Sequence, residues 1–163
     1  SFASFIKQKY DSDYDSTCNY YRWKMTVSDK DLSSSFDSKI SDVGIIQNIY
    51  VRKRVSGGAA VSVVVEGDKN TVTLDSESLI RQAFGNAAVT LETNGGTVNT
   101  PYLPSTFCIF ESQEKDGEKY FVITGGGFGH GIGMSQNAVN AMTKRGMSYK
   151  DILEFFYPGT KVA

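Results

Sequence analysis

The segment Gly125-Gly126-Gly127-Phe128-Gly129-His130-Gly131-Ile132-Gly133-Met134-Ser135-Gln136 decides the reading of this chain, and it holds the chain's single histidine. Glycines recur at 125, 127, 129, 131 and 133. In an extended segment alternate side chains point to opposite faces. The spacing therefore predicts one face of bare backbone and one face carrying Phe128, His130, Ile132 and Met134. Glycine weakens a strand, so its repetition marks close approach by another backbone or a ligand. A histidine with glycine on both sides reads as a site residue rather than a packed core residue.

Spacing excludes several familiar sites. A dinucleotide fingerprint needs glycines at i, i+2 and i+5. Counted from Gly125, Gly127 or Gly129, the last position holds His130, Ile132 or Met134. No Gly-Lys-Ser/Thr follows, so there is no P-loop. Gly133-Met134-Ser135-Gln136-Asn137 lacks the second glycine of a nucleophile elbow. A Ser135–His130 nucleophile and base pair stays open as an alternative.

Downstream, Met134, Ala138, Ala141 and Met142 recur at helical spacing. Lys144 and Arg145 suit a helix C-terminus, and Gly146 sits where the stop belongs. Ser148 with Asp151 reads as a cap on a second helix. Ile152, Leu153, Phe155 and Phe156 give that helix an apolar face, and Pro158-Gly159 end it. The glycine strand thus leads into a helical hairpin. The junction at Ser135 and Gln136 presents outward backbone amides, which favour an anion or an oxygen-rich ligand.

The stretch from Gly125 to Thr160 resembles the C-terminal signature of the SpoIID/LytB family, the stage II sporulation protein D and amidase-enhancer group. The resemblance rests on Gly129-His130-Gly131-Ile132-Gly133-Met134-Ser135-Gln136, Gly146-Met147-Ser148-Tyr149, Ile152-Leu153 and Phe156-Tyr157-Pro158-Gly159-Thr160. Weaker likeness runs through Tyr21-Arg22-Trp23, Ser56-Gly57 and Leu79-Ile80-Arg81. After Gln136 the family usually has Tyr-Gly-Ala, where this chain has Asn137-Ala138-Val139.

The resemblance implies an extracytoplasmic protein acting on peptidoglycan. In the family that means a lytic transglycosylase cutting glycan strands, in sporulation or engulfment, or an enhancer of wall amidases. It implies glycan strands, and other cell-wall hydrolases, as partners. The resemblance places the family's catalytic glutamate in a helix before the segment where this chain begins, so this chain is expected to lack it. Residues 1–163 are accordingly expected to form a single domain, the C-terminal part of a SpoIID-like domain. The implied substrate-binding set is Gly127, Gly129, His130, Gly131, Gly133, Met134, Ser135 and Gln136, with His130 and Ser135 as catalytic candidates.

The residues lead to a similar place. Glycoside cleavage needs a carboxylic acid to protonate the leaving oxygen. No Asp or Glu occurs between Glu118 and Asp151, so any acid beside His130 must come from elsewhere in the fold or from outside the chain. The cluster Glu111, Glu114, Asp116 and Glu118 reads as a solvated hairpin tip. This chain alone is expected to bind glycan without turning it over.

The formal net charge of −1 gives no pull towards nucleic acid or anionic lipid, and no nucleic-acid partner is expected. Neither a cofactor nor a metal is expected. Cys18 and Cys108 with His130 make three ligands at no zinc-like spacing. The two thiols are open to a disulfide or to being free, with free thiols preferred. Asp11, Asp13 and Asp15 echo the start of an EF-hand loop, but Ser16 and Arg22 stand where its glycine and glutamate belong. That segment reads as a solvated loop.

The class is α+β: an antiparallel β-meander or small sheet with a C-terminal helical hairpin. Strands are expected over Asn19–Val27, Gly44–Val55, Ala60–Glu66, Thr71–Leu74, Val89–Leu91, Thr106–Glu111 and Lys119–Thr124, with helices ending at Phe36 and Phe84. Asn94-Gly95-Gly96 reads as a loop. Tyr14, Tyr20, Tyr21, Trp23 and Tyr102 are aromatic candidates for a glycan-binding surface.

Overall fold

The computed structural model describes residues 1–86 and 89–162. The elements run α1 (Phe2–Lys7), β1 (Trp23–Ser28), α2 (Asp29–Lys39), β2 (Ile46–Arg54), β3 (Ala60–Gly67), β4 (Thr71–Leu74), α3 (Glu77–Phe84), β5 (Thr90–Thr93), β6 (Gly96–Asn99), β7 (Cys108–Lys115), β8 (Glu118–Gly125), α4 (Gln136–Lys144) and α5 (Tyr149–Phe156). Five strands form one antiparallel sheet in the order β6-β5-β1-β8-β7, and β2-β3-β4 form the expected meander. The α+β class holds.

Residue choice explains most element ends. In β1 the inward positions are Trp23, Met25 and Val27, one residue in two, as a half-buried strand requires. Ser28 closes that strand and caps α2, its hydroxyl accepting from the Asp31 N–H at 3.1 Å. Buried Ser33 ties α2 to β2, accepting from the Ile46 N–H at 2.8 Å and donating to the Asp29 carbonyl at 2.6 Å. Central β3 buries Val63, Val64 and Val65 in succession because both its faces are covered. Asp116 and Gly117, with φ of +55° and +78°, make the two-residue turn of the β7–β8 hairpin.

One apolar core joins both sheets and two helices. It runs through Trp23, Phe121 and Ile123 of the large sheet, Ile46 and Val65 of the small one, and Phe36, Ile80 and Phe84 of α2 and α3. The C-terminal pair α4–α5 stands outside it, burying Ala138, Met142 and Ile152. Among the described residues, no helix is long and apolar enough to cross a membrane.

Some expectations shift. The first large-sheet strand begins at Trp23, because Tyr10 to Arg22 is a chain of turns closed by bonds such as Cys18 N–H to the Asp15 carbonyl at 2.9 Å. Asn94-Gly95-Gly96 is not a mere loop: Asn94 and Gly95 turn β5 into β6, with Thr93 opposite Gly96. Helix α1, capped by Ser1, was not anticipated. It seats fully buried Ile6 beneath Gly126.

Candidate functional site: a glycine loop at the open end of the large sheet

Strand β8 ends at Gly125, and the glycine run then leaves the sheet as a loop reaching the α4 cap at Ser135. The alternating two-faced strand expected beyond Gly125 does not form. Gly127, Gly129, Gly131 and Gly133 have φ of +76°, +118°, +72° and +108°. Those are left-handed conformations that side-chain-bearing residues adopt only with strain. The alternate glycines therefore serve backbone shape, one left-handed residue between each pair of side chains.

The first two glycines have a different cause. A Cβ on Gly125 would lie 2.2 Å from the Trp23 ring, and one on Gly126 would lie 2.8 Å from the Tyr21 carbonyl oxygen. They permit close approach. At Gly127, Gly129 and Gly131 a Cβ would meet nothing within 4 Å.

The base of the loop is pinned. The Gly127 N–H donates to the Tyr20 carbonyl at 2.7 Å, and the Gly129 N–H donates to the Pro104 carbonyl at 2.9 Å. The Trp23 indole donates to the Gly127 carbonyl at 3.1 Å, and buried Ser105 donates to the Gly126 carbonyl at 2.7 Å. The loop's tip is open. His130 is exposed, as are Gly131, Ile132, Gly133 and Met134. The Ile132 N–H donates to His130 Nδ1 at 2.8 Å. With Nδ1 accepting, Nε2 is the ring nitrogen left to donate.

Ser135 has other partners than His130. Its hydroxyl caps α4 by accepting from the Ala138 N–H at 3.2 Å, and it donates to the Asp15 carboxylate at 3.1 and 3.2 Å. Among the described residues no hydrogen bond links Ser135 to His130. The arrangement is that of a helix cap held by a carboxylate, not of a nucleophile beside its base. Gln136 follows, exposed on the first turn of α4.

Asp15 is the residue that sequence reasoning missed. It arrives from the turn-rich loop at the N-terminal side, and its carboxylate sits where an external anion was expected at the α4 N-terminus. Its neighbour Cys18 has a thiol pushed up, first by burial and then by the Asp15 charge. Both cysteines are free, and burial pushes the Cys108 thiol up to about 12. The EF-hand-like aspartates diverge: Asp13 accepts from the Tyr21 hydroxyl at 2.5 Å while Asp15 holds Ser135. Tyr14 of the same loop packs edge-on to Phe155, lies under Arg145, and donates to the Met147 sulfur at 3.4 Å. These contacts dock the helical pair. Tyr157, at the end of α5, brings its hydroxyl to 3.8 Å from where a Gly133 Cβ would be.

Two of the aromatic glycan candidates fall away. Trp23 and Tyr21 are only 2% and 7% exposed, because they support the glycine run from below. Tyr14 is engaged by the helical pair. Tyr20 lies against Phe128, and Tyr102 is exposed.

A groove of about 810 Å³ lies at the other end of the β1–β8 pair, around Ser28, Asp29, Glu118 and Tyr120. Its lining carries the carboxylates of Asp29, Asp31, Glu92 and Glu118 against the single lysine Lys30, which lies 4.0 Å from Glu118, while Lys24 from outside the lining pairs with Glu92 at 3.3 Å. It contains neither the histidine nor the glycines.

Residues 1–133 match the family described as a domain of unknown function (DUF8618), and the chain belongs to that family. Short local matches add to this. The chain is 55% identical over 47 residues to an amidase enhancer of Bacillus subtilis, covering 29% of this chain and 6% of that protein. It is 46% identical over 41 residues to stage II sporulation protein D of the same organism, covering 25% of this chain and 12% of that protein. The stage II sporulation protein D of Bacillus amyloliquefaciens matches to the same extent. The chain therefore spans a small part of each relative. These local matches support the resemblance to the SpoIID/LytB group.

Proposed function

We propose that this chain is the glycan-binding part of an extracytoplasmic protein that acts on peptidoglycan, and that the whole protein is a lytic transglycosylase of the SpoIID type. The observation that carries this is the loop tip. His130 accepts from Ile132 through Nδ1 and so offers an Nε2–H donor from an exposed, uncharged loop whose base is fixed to the core. A rigid base with an accessible polar tip suits a neutral polyhydroxylated ligand. Gly127, Gly129, Gly131, Gly133 and Met134 shape the surface, and Gln136 offers an amide to an acetamido group. Residues 1–163 act as one unit, the C-terminal part of a SpoIID-like domain.

In this reading the acid that protonates the glycosidic oxygen lies outside these residues. Asp15 is engaged at the α4 cap, where both its carboxylate oxygens lie within hydrogen-bond reach of the Ser135 hydroxyl at 3.1 and 3.2 Å, so it is a structural partner there. The same fact favours a second reading, a non-catalytic module that binds wall glycan and modulates an amidase.

The test is incubation of purified glycan strands with this chain and, separately, with the longer parent protein. Mass spectrometry reads 1,6-anhydro-muramic ends. Ends from the parent alone support the transglycosylase reading. Ends from this chain alone overturn the claim that the acid lies outside it. No ends from either, with protein still sedimenting on the wall, moves the protein to the binding-module reading.

A further inference from the structure

Phe128 is held in an unusual position. The residues on both sides of it are left-handed glycines, and both are pinned by backbone hydrogen bonds, Gly127 to Tyr20 and Gly129 to Pro104. Such fixation normally serves to bury a side chain. Phe128 instead remains 67% exposed. Part of its ring leans on Tyr20, with centroids 4.8 Å apart and planes tilted by 46°. Water contact with an aromatic face opposes folding rather than assisting it. The fold thus fixes a ring in solvent, and a pre-ordered ring loses little freedom when a ligand covers it.

The loop's own side chains carry no charge. From Tyr120 to Thr143 the chain has no Asp, Glu, Lys or Arg. The Asp15 carboxylate brought to the end of the loop is taken by Ser135. The run carries no charged side chain, and the guanidinium beside it, Arg22, donates through Nη1 to the Tyr21 carbonyl at 2.8 Å. An apolar ring face beside neutral donors matches a pyranose, whose C–H face is apolar and whose rim is hydroxyl and amide.

We propose that Phe128 is the stacking platform for an uncharged pyranose unit at the glycine loop. This rests on the glycan-binding reading and adds to it the contact residue and the charge class of the sugar.

The experiment titrates the chain with the neutral oligosaccharide tetra-N-acetylchitotetraose, followed by NMR shifts and by saturation transfer from aromatic protons. Sedimentation on purified peptidoglycan runs in parallel. Variants are Phe128→Ala, Phe128→Leu and Phe128→Trp. Leucine keeps apolar bulk against Tyr20 and removes the ring face, so it reads stacking even where alanine disturbs the loop. Alanine and leucine should weaken binding about tenfold, a step of about 1.4 kcal/mol, and tryptophan should retain it. Unchanged affinity in both weakened variants, with the wild type binding, overturns the Phe128 assignment and leaves glycan binding standing. Binding to peptidoglycan but not to the oligosaccharide overturns the neutral-sugar assignment. Failure of the wild type to bind either ligand removes the glycan reading itself, and the platform with it.

Discussion

The Asp15 carboxylate and the Ser135 hydroxyl meet at 3.1 and 3.2 Å across 120 residues of sequence. This bond fastens the N-terminal turns to the cap of α4, and so sets where Met134 and Gln136 stand. Helix α4 has no acidic residue in its own first turn. Asp15 supplies that charge from another segment, where it favours the helix dipole. Ser135→Ala should lower stability by about 1 kcal/mol, as loss of an N-cap does. Asp15→Ala should cost a similar amount, and the double variant less than the sum, because each single change already breaks the shared bond. Urea unfolding of the four proteins measures this, and strict additivity would remove the proposed coupling.

The glycines of the run should divide into two classes. Gly125→Ala drives a methyl into the Trp23 ring at 2.2 Å, within a packed core that cannot yield cheaply. It should destabilise the fold by about 3 kcal/mol or abolish soluble expression. Gly131→Ala meets open space, and only its φ of +72° opposes it, at about 1 kcal/mol. The folded Gly131→Ala protein then reads a change in the binding loop apart from a change in the core. Equal thermal stabilities for the two variants would contradict this division.

The limits of the sequence show in the same residues. The strand pattern of Trp23, Met25 and Val27, the Ser148–Asp151 cap and the Gly146 stop were legible because each is local. Ser148 does accept from the Asp151 N–H at 3.2 Å, and the Gly146 and Met147 N–H groups close the end of α4 on Thr143 and Met142. The shape of Gly125–Gly133 was not legible, since alternating glycine fits an extended strand and a loop of left-handed residues equally well. The strand ends at Gly125 because its ladder partners there, Trp23 and Cys108, are the first residues of β1 and β7. Asp15 could not be found by spacing at all. It lies in a run of aspartates that resembles a solvated loop, and its partner is remote in the chain. Phe128 looked like one member of an apolar strand face, whereas the pinned glycines around it turn it outward.

Alkaline pH should loosen the fold through Cys108. The side chain is fully buried, and its thiol is raised from 9.0 to about 12 by loss of solvent, with the Arg54 charge opposing. A raised folded value means that the neutral thiol is the form the fold holds. The contribution is present below about pH 9.0 and is lost as pH rises towards 12. The loss is about 1.4 kcal/mol per pH unit within that window. Guanidinium unfolding at pH 7.5, 9 and 10.5 should show a steeper decline for the wild type than for Cys108→Ala. Parallel slopes would show that the thiol stays buried and neutral in the unfolded ensemble too, or that other groups dominate.

His130 separates shaping from binding, because its two nitrogens do different things. Nδ1 accepts from the Ile132 N–H at 2.8 Å and closes the turn, while Nε2–H is free to meet a ligand. An asparagine places its carbonyl oxygen near the position of Nδ1 and has nothing at Nε2. His130→Ala removes both roles, and His130→Asn removes only the second. The residue is exposed, so neither change should shift the melting temperature by more than a few degrees. If Nε2–H contacts glycan, both variants lose about tenfold in binding to glycan strands, the size of one hydrogen bond whose partner is left unmet. If the histidine only shapes the loop, asparagine restores what alanine loses. Undiminished binding by His130→Ala would take the histidine out of the site, and with it the main reason for placing the glycan at this loop.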